Sequence, residues 1–250
     1  MTYQEAEKGG IVIFGATGGI GSELCRRLSN SGSRLFLVGH TPEKIEALAT
    51  ETGKKGVAID ATQPEEVKRA FETAYSEVGP IQGIVNCIGS VLLKPAHLTT
   101  WSDWQTTLAL NLGTAFSVVR EGTRAMMSGG GSIVLISSAA ARIGLPNHEA
   151  IAAAKAGIIG LVYSAAATYA AQGVRVNAVS PGLVQTPLTE KITSNDRSRG
   201  FSLALHPLGR LGEPSDIASA IAWLLSPEQS WVTGQVIGVD GGLGTLKSTK

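Results

Sequence analysis

Seven short runs rich in Val, Ile and Leu recur along the chain, at residues 10–14, 34–38, 56–59, 81–85, 132–136, 174–179 and 235–239. Their apolar residues are continuous rather than alternating, which is the pattern of strands covered on both faces. The segments between them are long enough for helices. The chain therefore predicts a parallel sheet with right-handed crossovers, a doubly wound seven-stranded α/β fold. Thr41-Pro42 and Glu213-Pro214 each place proline where a helix opens. Thr62 with Glu65, and Ser102 with Gln105, have capping-box spacing, while Gly32 and Gly173 sit where helices end. Asn147 is expected to cap an alanine-rich helix that carries Ile151 and Lys155 on one face, four residues apart. One connection departs from the pattern: residues 183–212 are rich in Ser, Asn, Asp, Arg and Gly and follow a strand's carboxyl end, so a mobile substrate lid is expected there.

Composition narrows what such a fold serves. Of 250 residues, 43% are hydrophobic and 16% charged, which supplies a two-faced core and leaves too little charge for disorder. No linker-like break divides the chain, so a single domain is expected. The net charge is +1 with no basic run, which argues against nucleic acid or an anionic membrane as partner. Residues 1–9 read as a polar tail without the apolar core of a signal peptide, and the most apolar helical stretch, 156–171, is interrupted by Tyr163, Ser164 and Thr168. Cys25 and Cys87 offer neither a disulfide framework nor metal-ligand spacing. A reducing cytoplasm and a small-molecule partner fit these features, and no metal is expected.

Candidate chemistry begins directly after the first strand, where Gly15, Ala16, Thr17, Gly18, Gly19, Ile20 and Gly21 lead into a helical segment. Glycines at such a turn let the chain reverse sharply and let a pyrophosphate approach the backbone. They also bring a helix N-terminus, with its free N–H groups, against the anion. The second strand ends in Val38, Gly39, His40 and Thr41, with no acidic residue to hold a ribose 2′-hydroxyl. His40, the Thr41 hydroxyl and Lys44 or Arg34 suit a 2′-phosphate, which favours NADP(H) over NAD(H); the alternative is that His40 is an ordinary surface loop residue. Asp60, followed by Ala61, is either an acceptor for an adenine amino group or the turn residue before Thr62.

With features further along, these residues resemble the short-chain dehydrogenase/reductase family, particularly its 3-oxoacyl-carrier-protein reductase-like members, from about Gly10 to Gly242. Residues 15–21 match its glycine-rich loop, Asp60 its adenine aspartate, and Asn86, Cys87, Ile88 and Gly89 its NNAG turn. Asn111 matches its helix asparagine, Ser138 its catalytic serine, Lys155 the lysine of YxxxK, and Pro181 and Gly182 its PG turn. The resemblance implies a Rossmann-type fold and an NAD(P)-dependent oxidoreductase of carbonyl or alcohol substrates. It also implies a homotetramer built partly on the helices that start near Ser102 and Asn147. By the same resemblance Ser138 holds the substrate oxygen, and Lys155 holds the nicotinamide ribose and lowers the pKa of a proton-donating tyrosine. Asn111 organises a relay water, and the Val184 main chain and Thr186 hydroxyl reach the carboxamide.

Three departures stand out. Phe14 replaces the loop's threonine and Ile88 the NNAG alanine, both expected to be packing changes near the cofactor. The third concerns the chemistry: thirteen residues after Ser138 and four before Lys155, where the family has tyrosine, stands Ile151, which has no proton to give. His148, seven residues before Lys155, has the tyrosine-to-lysine spacing of the related enoyl reductases, and imidazole can give a proton near neutral pH. The alternative is that it is no more than a first-turn helix residue beside the Asn147 cap. Tyr163 lies about 12 Å further along the helix and is rotated off the face. Cys87 has no identifiable activating base and reads as packing. Two functions follow: an oxidoreductase using His148, or water held by Ser138 and Lys155, as acid, and a cofactor-binding protein without turnover that serves a partner. An engineered Ile151 is a third reading. Leu92, Leu93, Leu145, Phe201 and Trp101 are candidates for an apolar substrate pocket.

Overall fold

The computed structural model describes residues 9–247, so most of the expected polar tail lies outside the described residues. The seven apolar runs become β1 (Gly10–Phe14), β2 (Leu35–Gly39), β3 (Lys55–Ala58), β4 (Ile81–Asn86), β5 (Gly131–Ile136), β6 (Val174–Pro181) and β7 (Val236–Val239). They form one sheet in the order β3-β2-β1-β4-β5-β6-β7, with every pairing parallel.

Successive side chains on a strand point to opposite faces, and both faces here are covered. Val12, Phe14, Phe36 and Val38 pack with residues of α3 (Pro64–Val78), α5 (Thr114–Met126) and α6 (Glu149–Tyr169). Ile13, Leu35, Leu37 and Val85 pack with α1 (Gly19–Asn30), α2 (Pro42–Thr52) and α9 (Pro214–Leu225). Consecutive residues are buried throughout β2 and along most of β1, β4, β5 and β6, which is why the sequence shows unbroken apolar runs there. Phe14 stands tilted against Phe71 of α3 with ring centroids 5.2 Å apart, so its departure from the family pattern is a core contact. By length and apolar composition the helical stretch Glu149–Gln172 could cross a membrane; here Ile158, Val162, Ala165 and Ala166 are packed into the sheet-facing core.

Strand order reverses between β1 and β4, the point at which loops on the two sides diverge and open a crevice beyond the carboxyl ends of the strands.

Several local expectations are corrected. Pro42 and Pro214 do open α2 and α9, and the Asp216 carboxylate accepts from the Glu213 N–H at the start of α9. Gly32 and Gly173 take left-handed φ values of 77° and 72° just past helix ends. The box at α4 (Trp101–Leu108), however, is made by Thr100 and Asp103, because the Asp103 carboxylate reaches back to the Thr100 N–H. Thr62 does not cap α3: its N–H and hydroxyl both donate to Asp60 Oδ1, and Glu66 rather than Glu65 accepts from the Asp60 N–H. Nor does Asn147 cap α6. It adopts φ 63°, a left-handed conformation its short polar side chain tolerates, and His148 takes the N-cap position with non-helical dihedrals. His148 is thus not a first-turn helix residue. The segment 183–212 contains α7 (Glu190–Thr193) and α8 (Asp196–Leu205), and a bridge between Val184 and Gly212 joins its two ends.

Candidate active site

Two of the cavities at the carboxyl ends of the strands hold most of the candidate residues. The first, of ≈ 350 Å³, is lined by Gly15, Thr17, Gly18, Gly19, Ile20 and Gly21, by His40, Asp60, Ala61 and Gly89, and by Thr186. Its glycines differ in what requires them. Gly15 has φ 71°, and a Cβ there would fall 2.8 Å from the Cys87 carbonyl carbon. At Gly21 a Cβ would fall 2.2 Å from the Gly15 oxygen, whereas at Gly18 nothing lies closer than 3.4 Å. The fold itself needs the first two; the missing side chain of Gly18 leaves room in the cleft. The N-cap of α1 receives no side-chain hydrogen bond, and its first turn has no acidic residue, so its N–H groups remain available to an anion. This donor set fits the pyrophosphate of a dinucleotide.

The rest of the predicted nucleotide set is unevenly placed. His40 is exposed, with Nδ1 3.3 Å from the Ile59 carbonyl oxygen. Asp60 is the turn residue of its loop as well as a wall of the cleft, and its two bonds from Thr62 hold the carboxyl below its usual range. Thr41 is the α2 N-cap and does not line the cleft. Arg34 is misassigned: it precedes β2, and its guanidinium lies by Gly79 at the amino end of the sheet, away from the cleft. Lys44 is exposed on the first turn of α2, outside the lining.

Beside the cleft, Lys155 is 7% exposed and its Nζ donates to the Ile136 carbonyl at 2.9 Å. Burial pulls its pKa down to about 8. The Lys155 carbonyl accepts from Ser137 Oγ at 2.9 Å, which ties α6 to the end of β5. Asn111 is fully buried on a π-helical turn, Ala109–Gly113, that joins α4 to α5. Its Nδ2 donates to the Thr107 carbonyl and to Ser90 Oγ, both at 2.9 Å, and its Oδ1 accepts from the Ser90 N–H at 3.2 Å. A Cβ on Gly89 would lie 2.9 Å from Asn111 Oδ1 and 3.2 Å from Lys155 Nζ, so these three residues converge. Asn86 is buried and shapes the turn, accepting from the Ile88 N–H at 3.1 Å.

The second cavity, of ≈ 610 Å³, is lined by Ser138, His148 and Ile151, by Pro181 and Gly182, and by Leu93, Leu145 and Phe201. Leu92 and Trp101 are not part of it; Trp101 opens α4 and is 71% exposed. Ser138 Oγ accepts from the Ala140 N–H at 3.1 Å, which leaves its own proton to donate. His148 Nδ1 lies 2.7 Å from the Pro146 carbonyl oxygen, and because a carbonyl only accepts, Nδ1 carries the hydrogen and Nε2 is the exchangeable position. Val184 is buried and its carbonyl accepts from Thr189 Oγ1, while Thr186 closes over the first cavity, where a Cβ on Gly19 would meet it at 2.8 Å. Cys87 also faces the first cavity, but burial pushes its thiol up to about 12, so it is no nucleophile at neutral pH.

Residues 15–244 match the family model described as enoyl-(acyl carrier protein) reductase. The chain belongs to the short-chain dehydrogenase/reductase family. It is 35% identical over 238 residues to D-threitol dehydrogenase of Mycolicibacterium smegmatis, covering 92% of this chain and 91% of that protein. It is equally 35% identical over 240 residues to a 3-oxoacyl-[acyl-carrier-protein] reductase of Thermotoga maritima, covering 93% and 96%. The structure of a variant actinorhodin polyketide ketoreductase with NADPH superposes with a TM-score of 0.90 at 27% identity, over 97% of this chain and 100% of that one.

Within this short-chain dehydrogenase/reductase the sequence singled out Asn111, Ser138 and Lys155 but missed Ser90 and His206. Ser90 is signalled only by being the polar residue after the Asn86–Gly89 turn. His206, 4% exposed and part of the wall of the larger cavity, carries no signal in its spacing.

Proposed function

We propose that this protein is an NADP(H)-dependent oxidoreductase of carbonyl or alcohol substrates in which His148, or water held by Ser138 and Lys155, does the proton transfer of the family's tyrosine. The observation that carries this reading is that Ser138, His148 and Ile151 share one cavity, while Lys155 and Asn111 meet at Gly89 on the wall of the other. When bound, the coenzyme supplies or accepts the hydride. The loop from Gly15 to Gly21 and the α1 N-terminus hold its pyrophosphate. Asp60 and Ala61 take the adenine, His40 the 2′-phosphate, Gly89 the floor of the cleft with Asn86 shaping the turn beneath it, and Pro181, Gly182, Val184 and Thr186 the carboxamide side. The NADPH in the ketoreductase structure supports the choice of NADP(H).

In reduction, Ser138 Oγ donates a hydrogen bond to the substrate oxygen and so fixes the carbonyl. Lys155, with a pKa near 8, is mostly ammonium at neutral pH; it holds the ribose and favours negative charge on that oxygen. His148, pinned through Nδ1, gives a proton from Nε2 and is reprotonated from water. Its acid form is consumed in reduction and its neutral form is needed in oxidation, so the two directions have opposite pH dependence. The apolar wall suits a substrate with a hydrocarbon body, and α7 and α8 form the lid over it. Both relatives named above are a dehydrogenase and a reductase, which favours an enzyme over a binding-only protein. Exposed Trp101, Phe116 and Tyr163, on α4, α5 and α6, support assembly of a homotetramer through those helices.

Fluorescence titration with NADPH and NADH, followed by assays on ketones, sugar alcohols and 3-oxoacyl thioesters, tests the reading. The parent is expected to turn over slowly, His148→Ala to lose about 10² in rate, and Ile151→Tyr to gain about 10² to 10⁴. An unchanged rate in His148→Ala assigns the proton to water; failure to bind either coenzyme rejects the reading.

A further inference from the structure

We infer that His206 is a positioning residue that fastens the chain where it passes from the substrate cavity to the dinucleotide cleft, and that it does so only as the neutral ring. The role in binding rests on the use proposed above for the two cavities; the fastening itself does not.

His206 follows α8 and is buried. Its Nδ1 lies 2.6 Å from the Ser202 carbonyl oxygen, and its Nε2 lies 3.1 Å from the Leu183 backbone nitrogen. The carbonyl can only accept and the N–H can only donate, so Nδ1 must carry a hydrogen and Nε2 must not. One tautomer of the uncharged ring satisfies both. The Leu183 carbonyl in turn accepts from the Gly212 N–H at 2.9 Å, and the Gln185 N–H donates to the Gly212 carbonyl at 2.9 Å. Leu183 is therefore held from both sides at the neck of the 183–212 segment, by His206 on its donor and by Gly212 on its acceptor. The ring is pressed so close that a Cβ on Gly182 would fall 2.5 Å from Nε2. Gly182 and Leu183 wall the substrate cavity, and Thr186, three residues on, walls the dinucleotide cleft.

A protonated ring would set an Nε2–H against the Leu183 N–H, two donors facing one another. No neighbouring charged side chain is hydrogen-bonded to the ring. On one side, in a smaller cavity of ≈ 320 Å³, the Asp240 carboxylate already accepts from the Gly242 and Gly244 N–H groups, and Asp216 is held by both Arg210 nitrogens at 2.6 and 2.8 Å. On the other side the cavity presents His148, Lys191 and Arg197. Proton uptake by His206 therefore releases the Leu183 N–H and loosens the neck.

Two measurements on the full chain test this. Amide hydrogen exchange over residues 183–185, corrected for intrinsic rate, needs no coenzyme; NADPH titration does. In the parent, protection is expected to fall about tenfold on acidification from pH 8 as the ring takes up a proton, the size of one lost hydrogen bond, with a parallel rise in the NADPH dissociation constant. His206→Gln keeps an uncharged acceptor for Leu183, so both readings should stay flat over that range. His206→Leu should show the weakened values at every pH. Identical pH curves for the parent and the glutamine variant overturn the inference, as does full protection of these amides in a folded leucine variant. If the leucine variant does not fold, the parent and glutamine pair decides alone. Absence of NADPH binding in the parent counts against the proposed function, while the exchange data still decide the fastening.

Discussion

The cleft proposed for the dinucleotide and the cavity proposed for the substrate are neighbours built by different means. The cleft is shaped by main chain: Gly15 turns at φ 71°, Gly21 packs on the Gly15 carbonyl, and α1 begins with its N–H groups uncapped. The substrate cavity is furnished by side chains from a strand end, a helix cap and a helix face: Ser138, His148 and Ile151. A backbone-made site tolerates drift in most side chains, because its donors are common to every residue. A side-chain-made site keeps its shape when a residue changes and loses or changes its chemistry. Ile151 is an example; it is 5% exposed and well packed, yet supplies no proton.

Lys155 is where the two halves touch, and it gives the largest test of the difference. Burial lowers its pKa from 10.5 to about 8. Between those values the unfolded chain holds a proton that the folded chain has released, so this residue makes stability rise with pH through the window, by at most ~3 kcal/mol. Below pH 8 both states are charged and the contribution levels off. Urea unfolding at pH 8 and pH 10 should show the rise in the parent and a flatter profile in Lys155→Met. Equal slopes would mean that the lysine is well hydrated in the folded chain.

The glycines probe the other half, with a smaller effect. A methyl at Gly21 meets the Gly15 oxygen at 2.2 Å and has nowhere to go, so Gly21→Ala should cost about 2 kcal/mol of stability and coenzyme binding with it. At Gly18 the nearest atom is 3.4 Å away, so Gly18→Ala should stay within about 1 kcal/mol of the parent in unfolding while weakening NADPH binding about tenfold. Equal losses of stability in the two variants would show that the cleft is held by packing of the loop alone.

These contrasts also explain what the sequence disclosed. The strands were legible because burial on both faces writes itself as unbroken apolar runs, and the glycine loop because its spacing follows from backbone geometry. Ser138, Lys155 and Asn111 were legible only jointly, by order along the chain. Helix starts were less so: Ser102, Thr62 and Asn147 are all plausible caps, and which residue acts depends on a carboxylate or a left-handed residue nearby. Arg34 misled because it is close in sequence to His40 while a strand's length separates them in space. His206 gave no signal, since its partners Ser202 and Leu183 are backbone groups, and any residue type supplies those.

The smallest expected effect bears on coenzyme choice, and it sets the two ends of the cleft against each other. His40 is exposed and makes one long contact, 3.3 Å, to the Ile59 carbonyl. Neither of the two residues directly after β2, His40 and Thr41, is acidic, but the attraction of a 2′-phosphate to a solvent-exposed imidazole is weak and screened by salt. His40→Ala should therefore weaken NADPH about threefold in low salt and leave NADH unchanged, with the difference shrinking as salt is added. A larger loss confined to NADPH would mean that His40 is a buried ligand in the complex and that the loop after β2 closes on binding. An equal loss for both coenzymes would mean that His40 shapes the adenine end instead, and the preference for NADP(H) would have to come from the absence of an acid at this position alone.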